Sequence, residues 1–237
     1  MDAPPAPADV RDDTDRTLRQ TCLSQCAAAS AAFLLLLGLV AAHWGPLLAA
    51  DRGIAVELHS VAVRHPGWTR LNRVLTDWVW DPVTMRLVLL AAVVWLVVRR
   101  ENRQALWLVL AGAVGWVLQA AAKVLVGRQR PRWPDPVDSA SLPAFPSGHA
   151  TTAALVCGAL LWLLLLRRPA RSLWCVAACA VAFVSVAGVG FTRVYLGVHW
   201  PSDVVGGWLL AAAVLAATAA LCEPWRTGAA EPDRPSS

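Results

Sequence analysis

Six stretches of this chain are so long and so poor in charge that the bilayer, not water, is their natural solvent. Residues 27–50 contain no Asp, Glu, Lys or Arg. At about 1.5 Å per helical residue, such a run crosses the roughly 30 Å hydrocarbon core. Further runs lie at residues 82–98, 105–126, 150–166, 172–191 and 204–222. A 57% hydrophobic content over 237 residues and a mean hydropathy of +0.50 exceed what a water-soluble domain carries. The expected fold class is therefore all-α, a six-helix transmembrane bundle.

The charges fall between these runs and set an orientation. Arg99, Arg100 and Arg103 separate the second and third runs, and Arg167, Arg168 and Arg171 the fourth and fifth. Short basic connectors stay in the cytoplasm. Six crossings then put both termini there, in keeping with Arg11, Arg16 and Arg19 before the first run and Arg226 after the last. Run 82–98 is short and contains Arg86, whose stem can carry its charge to the interface. A re-entrant reading of residues 83–98 would instead place the two basic connectors on opposite sides. The +5 net charge is explained by orientation, and no nucleic-acid partner is expected.

The expected organisation is a disordered cytoplasmic tail over residues 1–22, a six-span domain over 23–223 and a second disordered tail over 224–237. Residues 51–81 mix Arg64, Arg70 and Arg73 with Trp68, Leu71 and Trp78. That pattern suits an interfacial outer segment, either a lid or a packed loop. Trp44, Trp78, Trp80, Trp133, Trp200 and Trp225 lie near span boundaries and read as an aromatic belt. The six cysteines lack the spacing of a zinc site and read mainly as small core residues. Gly112, Gly115, Gly206 and Gly207 permit close helix contacts, inside the bundle or between subunits. Oligomeric state stays open.

Three polar clusters sit at span ends, all on the outer face by this count. The first is Lys123 with Arg130-Pro131, in which Pro131 stops any helix and an ammonium and a guanidinium can be held toward one oxyanion. Arg128 could join them or face solvent or headgroups. The second is Pro146-Ser147-Gly148-His149, where Ser147 is a good N-cap, Gly148 lets backbone approach closely, and first-turn N–H groups can meet a phosphate. The third is Arg193 with His199 and Asp203, Pro201 opening the last helix. A carboxylate four residues from an imidazole can fix its tautomer and free the other nitrogen as a nucleophile. Each cluster alone has an anchor or cap explanation; together on one face they read as a phosphate-cleaving site.

The order Lys-x6-Arg-Pro, Pro-Ser-Gly-His, Arg-x5-His-x3-Asp resembles the type 2 phosphatidic acid phosphatase superfamily, with the likeness covering roughly residues 25 to 222. Thr192 stands where that family's third motif usually has serine. The resemblance implies a lipid phosphatase with its active site at the extracytoplasmic membrane interface. His199 would attack phosphorus to form a phosphohistidine, Asp203 would orient it, and His149 would protonate the leaving oxygen. Lys123, Arg130, Ser147, Gly148 and Arg193 would hold the phosphoryl oxygens, with no metal or other cofactor. Phosphatidic acid, phosphatidylglycerol phosphate and polyprenyl pyrophosphates such as undecaprenyl pyrophosphate are the substrate candidates. A phosphotransferase with a non-water acceptor, or a non-catalytic protein binding or transporting anionic lipids, are the alternatives. His43, His59 and His65 match no motif and read as interfacial or loop residues.

Overall fold

The structure is a computed structural model describing residues 8–167 and 172–222. Helices α1 (Ala8–Ala41), α2 (Gly45–Arg64), α3 (Pro66–Val74), α4 (Pro82–Val98), α5 (Asn102–Val126), α6 (Gly148–Arg167), α7 (Leu173–Tyr195) and α8 (Pro201–Cys222) follow in order, with a π-helical turn at Leu75–Val79 between α3 and α4. No strand occurs among the described residues. Six segments are long and apolar enough to cross a membrane: Arg16–Ala41, Pro66–Val98, Asn102–Val126, Gly148–Arg167, Leu173–Tyr195 and Pro201–Leu221. The protein is thus an all-helical, multi-pass membrane protein.

Local chemistry sets the helix ends. The Asp81 side chain accepts hydrogen bonds from the amides of Val83 (2.7 Å) and Thr84 (3.4 Å), and Pro82 follows at the first helical position. Gly127 ends α5 at φ +57°, a left-handed cap that costs glycine little. Ser172 caps α7 by accepting from the Cys175 amide at 3.3 Å.

Three boundaries differ from expectation, one being the second span, expected over 82–98, whose helical stretch begins at Pro66. Residues 8–22, expected as tail, are helical, and buried Cys22 packs with Leu96, Trp107 and Leu108, a tertiary contact that local composition does not reveal. Residues 1–7 and 223–237 lie outside the described residues, as does Trp225. The run 27–50 is broken after Ala41: His43 has φ +53°, Trp44 is extended, and Pro46 cannot donate a backbone hydrogen bond to the preceding turn. Asp51 consequently belongs to the separate helix α2.

Segment 51–81 is a packed layer at one end of the bundle. Thr69 Oγ donates to Ala62 O (2.7 Å) and lies 3.1 Å from the Tyr195 hydroxyl of α7. Asp51, His59, Asn72 and Thr76 are buried with it. Of the tryptophans near span boundaries, Trp44 and Trp78 are exposed, whereas three others are engaged in packing or hydrogen bonds. Trp80 is buried against Gly188, Trp133 stacks on His59 and donates to Gly197 O, and Trp200 donates to Gln129 O.

Helix α8 is the axis of the bundle. In its apolar window 61% is buried, against 11–39% for the other five spans, and it packs on α1, α5 and α6. Lipid tails are as apolar as leucine, so close backbone approach, not expulsion of water, holds such helices together. The glycines resolve to intramolecular use: a Cβ on Gly112, Gly115 or Gly206 would strike Leu89, Leu155 or Phe145. At Gly207 it would lie 2.9 Å from the Ser147 carbonyl oxygen, which is backbone and cannot swing away. Gly207→Val should therefore destabilise the protein by about 1–3 kcal/mol, as overpacking does. Gly38, with nothing within 4 Å, is the control. Thermal unfolding in detergent should show a lower midpoint for Gly207→Val and none of that loss for Gly38→Ala.

Candidate active site

The turn between α7 and α8 builds the centre of the site. Leu196 ends the helix, and Gly197 at φ +71° reverses the chain, so that the amides of Val198 (3.2 Å) and His199 (3.1 Å) both return to Arg193 O. Pro201 then starts α8, and Asp203 in its first turn accepts from the Trp200 amide at 2.8 Å, a carboxylate reaching back to the residue before the helix. The same oxygen, Oδ2, faces His199 Nδ1 at 3.3 Å. Arg130 Nη1 lies 3.0 Å from the other ring nitrogen, Nε2. Arginine has donors only, so Nε2 accepts, the proton is on Nδ1, and it points to Asp203. The four-residue spacing thus sets Nδ1 of His199 against the Asp203 carboxylate.

The cations converge on this turn from three directions. Lys123, in the last turn of α5, is buried and donates to Pro143 O at 2.5 Å. Arg130 also donates to Leu142 O and Val198 O, both at 2.6 Å. Arg193, 3% exposed at the end of α7, donates to Thr76 Oγ at 3.3 Å and lies 3.6 Å from Asp138. Its Nε is buried without a hydrogen-bond partner. A buried guanidinium N–H left open calls for an acceptor. His149 lies among these groups, close enough to feel the charges of Arg193, Arg130 and Lys123.

Helix α6 brings in the second cluster. Ser147 is fully buried; its hydroxyl accepts from the Ala150 amide at 3.5 Å as an N-cap, and its own amide donates to Asp203 O at 2.9 Å. Ser147 therefore joins the starts of α6 and α8. Gly148 and His149 follow as the first helical residues, where amides lack intrahelical acceptors. All eight residues selected from sequence lie at one end of the bundle, around the starts of α6 and α8.

Electrostatics outside the spans suits nucleophilic chemistry. Burial, then the cations Arg130, Arg193 and Lys123, hold the His199 pKa well below its ordinary value, so the ring is neutral. Burial and the neighbouring Arg193 lower Arg130 to about 10, which leaves it charged at neutral pH. A cleft of about 610 Å³ reaches Arg130 and Val198 from outside, lined also by Trp133, Asp138 and Pro143. It ends short of the histidines.

Sequence reasoning left Arg128 open and missed Asp51, Thr76 and Asp138. The Arg128 side chain, 9% exposed, lies between Asp203 (2.6 Å) and Asp51 (2.7 Å). Asp51 and Asp138 fall in none of the three motif clusters, and no local pattern marks either.

Fold and site together define a class: a helical membrane protein with a histidine-carboxylate pair inside a cage of fixed cations, a site built for anions. Residues 104–226 match the PAP2 superfamily. The chain belongs to that superfamily. It is 30% identical over 194 residues to an undecaprenyl-diphosphatase of Sulfolobus acidocaldarius, covering 75% of this chain and 84% of that one. It is 32% identical over 181 residues to phosphatidylglycerophosphatase B of Bacillus subtilis (75% and 86%). With decaprenylphosphoryl-5-phosphoribose phosphatase of Mycobacterium tuberculosis it shares 34% over 177 residues (70% and 88%). The crystal structure of the transmembrane PAP2-type phosphatidylglycerolphosphate phosphatase from Bacillus subtilis shares the fold, at a TM-score of 0.73 and 24% identity over 84% of this chain and 96% of that one.

Asp138 is an internal anion beside Arg193. A phosphate held at Arg193 would compete with it, and a partly exposed ion pair contributes up to about 1 kcal/mol, roughly a fivefold change in affinity. Asp138→Asn should therefore tighten inorganic phosphate binding about two- to fivefold in titration calorimetry. Weaker binding in that variant would show that the carboxylate organises the site instead of competing for it.

Proposed function

We propose that this protein is a membrane lipid phosphatase that cleaves a phosphomonoester or pyrophosphate headgroup by covalent catalysis at His199, without a metal. The observation that carries the reading is the imidazole of His199, neutral, with Nδ1 toward Asp203 and Nε2 toward the cation cage. The Nε2 lone pair attacks phosphorus, the bond from phosphorus to the leaving oxygen breaks, and His149 gives that oxygen a proton. Water, losing its proton to His149, then attacks the phosphohistidine and releases inorganic phosphate and free His199. Lys123, Arg130 and Arg193, with the amides at the start of α6, stabilise charge on the phosphoryl oxygens as it develops. The names of the relatives support a polyprenyl pyrophosphate, phosphatidylglycerol phosphate or a phosphorylated polyprenyl sugar as substrate.

Sidedness follows from charge. Arg99, Arg100, Arg103 and Arg167 flank the spans at the end remote from the site, where Arg167 pairs with Glu101. By the positive-inside tendency that end is cytoplasmic, with both termini, and the site opens on the outer face at headgroup depth.

Phosphate release should be measured on phosphatidic acid, phosphatidylglycerol phosphate and a polyprenyl pyrophosphate in micelles containing EDTA. Activity is expected on at least one of them in chelator; loss in EDTA with recovery in Mg²⁺ would sink the metal-free mechanism. His199→Ala should lower kcat by orders of magnitude, and retention of most activity would remove His199 as the nucleophile.

The pH profile gives an independent check. Because the folded-state pKa of His199 is lowered, the neutral nucleophile persists as pH falls through the ordinary imidazole value of about 6.5 and is lost only below it. The acidic limb of kcat/KM, which reports the free enzyme, should therefore lie below pH 6.5. A limb at or above that pH would mean that another group controls attack.

A further inference from the structure

Arg128 stands two residues before Arg130, yet it serves a different set of partners. Gly127 turns the chain out of α5, and the Arg128 carbonyl accepts from the Ala144 amide at 2.8 Å, tying together the two ends of the loop that carries Arg130. Its guanidinium bridges two carboxylates far apart in sequence. Nη1 donates to Asp203 Oδ1 (2.6 Å) and to Ser202 Oγ (2.7 Å), and Nη2 donates to Asp51 Oδ2 (2.7 Å). Asp51 in turn accepts from the Ser202 amide (2.9 Å) and hydroxyl (2.5 Å). The Trp200 ring lies 5.7 Å from the guanidinium carbon. All these side chains but that of Trp200 are at least nine-tenths buried.

We infer that Arg128 and Asp51 are positioning residues for the nucleophile, a brace that fixes which oxygen of Asp203 faces His199. The inference rests on the assignment of His199 as nucleophile and goes beyond it, since neither residue touches the cation cage or the imidazole.

Geometry and charge both bear on Asp203. Asp203 Oδ2 meets His199 through a contact of 3.3 Å and accepts from the Trp200 amide, a neutral donor, at 2.8 Å, whereas the bond from Arg128 on Oδ1 is charge-assisted and shorter, at 2.6 Å. With Oδ1 held by Arg128, Oδ2 stays between the Trp200 amide and His199 Nδ1. Charge acts in the same direction. An arginine paired with Asp203 alone would cancel the negative charge that the imidazole must feel as it turns cationic in the attack. Asp51 prevents this: two carboxylates about one guanidinium leave a net charge of −1 behind His199. A planar fork can serve two carboxylates at once, and a lysine ammonium cannot reproduce that geometry.

The test is kinetic, with the full chain in detergent micelles and phosphatidic acid, phosphatidylglycerol phosphate and a polyprenyl pyrophosphate as probes. Arg128→Gln should lower kcat about ten- to hundredfold, the usual loss when a supporting residue behind a functional ligand is removed, with KM within about twofold. Arg128→Lys should recover part of that loss. Asp51→Asn, which keeps shape and is the milder change, should lower kcat several-fold without lowering the thermal midpoint to match. The decisive arm is the Asp203→Asn background, where neither substitution should cost anything further, because both act through Asp203. Full kcat in Arg128→Gln, or an undiminished loss in the Asp203→Asn background, overturns the brace. His199→Ala run alongside separates the two claims: if it stays active, the nucleophile assignment fails; if it is dead while the Arg128 and Asp51 variants are normal, only the brace fails.

Discussion

The carboxylate of Asp203 is the point on which this end of the molecule depends. It is wholly buried, and its neighbours come from every part of the chain that matters: His199 and Trp200 from the preceding turn, Arg128 from the end of α5, and Ser147, whose amide takes the Asp203 carbonyl, from the start of α6. A buried anion is stable only when its partners are fixed. Here those partners are also the elements that place the cations, so the requirement to satisfy one acid residue sets the relative positions of three helix ends.

The cation cage shows the opposite logic. Lys123, Arg130 and Arg193 face one another with few acceptors between them, held by the carbonyls of Pro143, Leu142 and Val198, the Thr76 hydroxyl and the more distant Asp138. Their mutual repulsion is visible in Arg130, lowered to about 10 by burial and by Arg193. A site of this kind is organised before its ligand arrives, and an anion relieves repulsion that folding has already imposed. The unpartnered Nε of Arg193 belongs to the same picture.

Much of this was legible in the sequence because it is local. The six apolar runs mark spans by length and composition, Pro201 and Asp203 mark a helix start, and four-residue spacing places Asp203 against His199. What could not be read is tertiary. Arg128 meets Asp51 and Asp203 across 77 and 75 residues, so composition left it equally suited to solvent. Ser147 has a structural use that no local pattern shows: its hydroxyl caps α6 and its amide joins α6 to α8, a junction that depends on Gly207 letting the two backbones close. The break at residues 42–44 was masked by the absence of charge, since hydropathy does not register a left-handed His43 or a proline that begins a new helix.

The position of Arg130 links binding to reaction. In the resting site its Nη1 lies 3.0 Å from Nε2 of His199, the nitrogen that the proposed attack requires. Phosphorus cannot be approached by a lone pair that is accepting a hydrogen bond, so the guanidinium must exchange this contact for a phosphoryl oxygen before the bond to phosphorus can form. The exchange favours an anionic ligand over water, because a charge-assisted bond to phosphate is stronger than one to a neutral imidazole. In the proposed reaction the nucleophile is thus uncovered by the group it attacks. Asp203 is the fixed end of this arrangement: with Oδ2 holding Nδ1, Arg130 can leave Nε2 while the ring keeps its orientation.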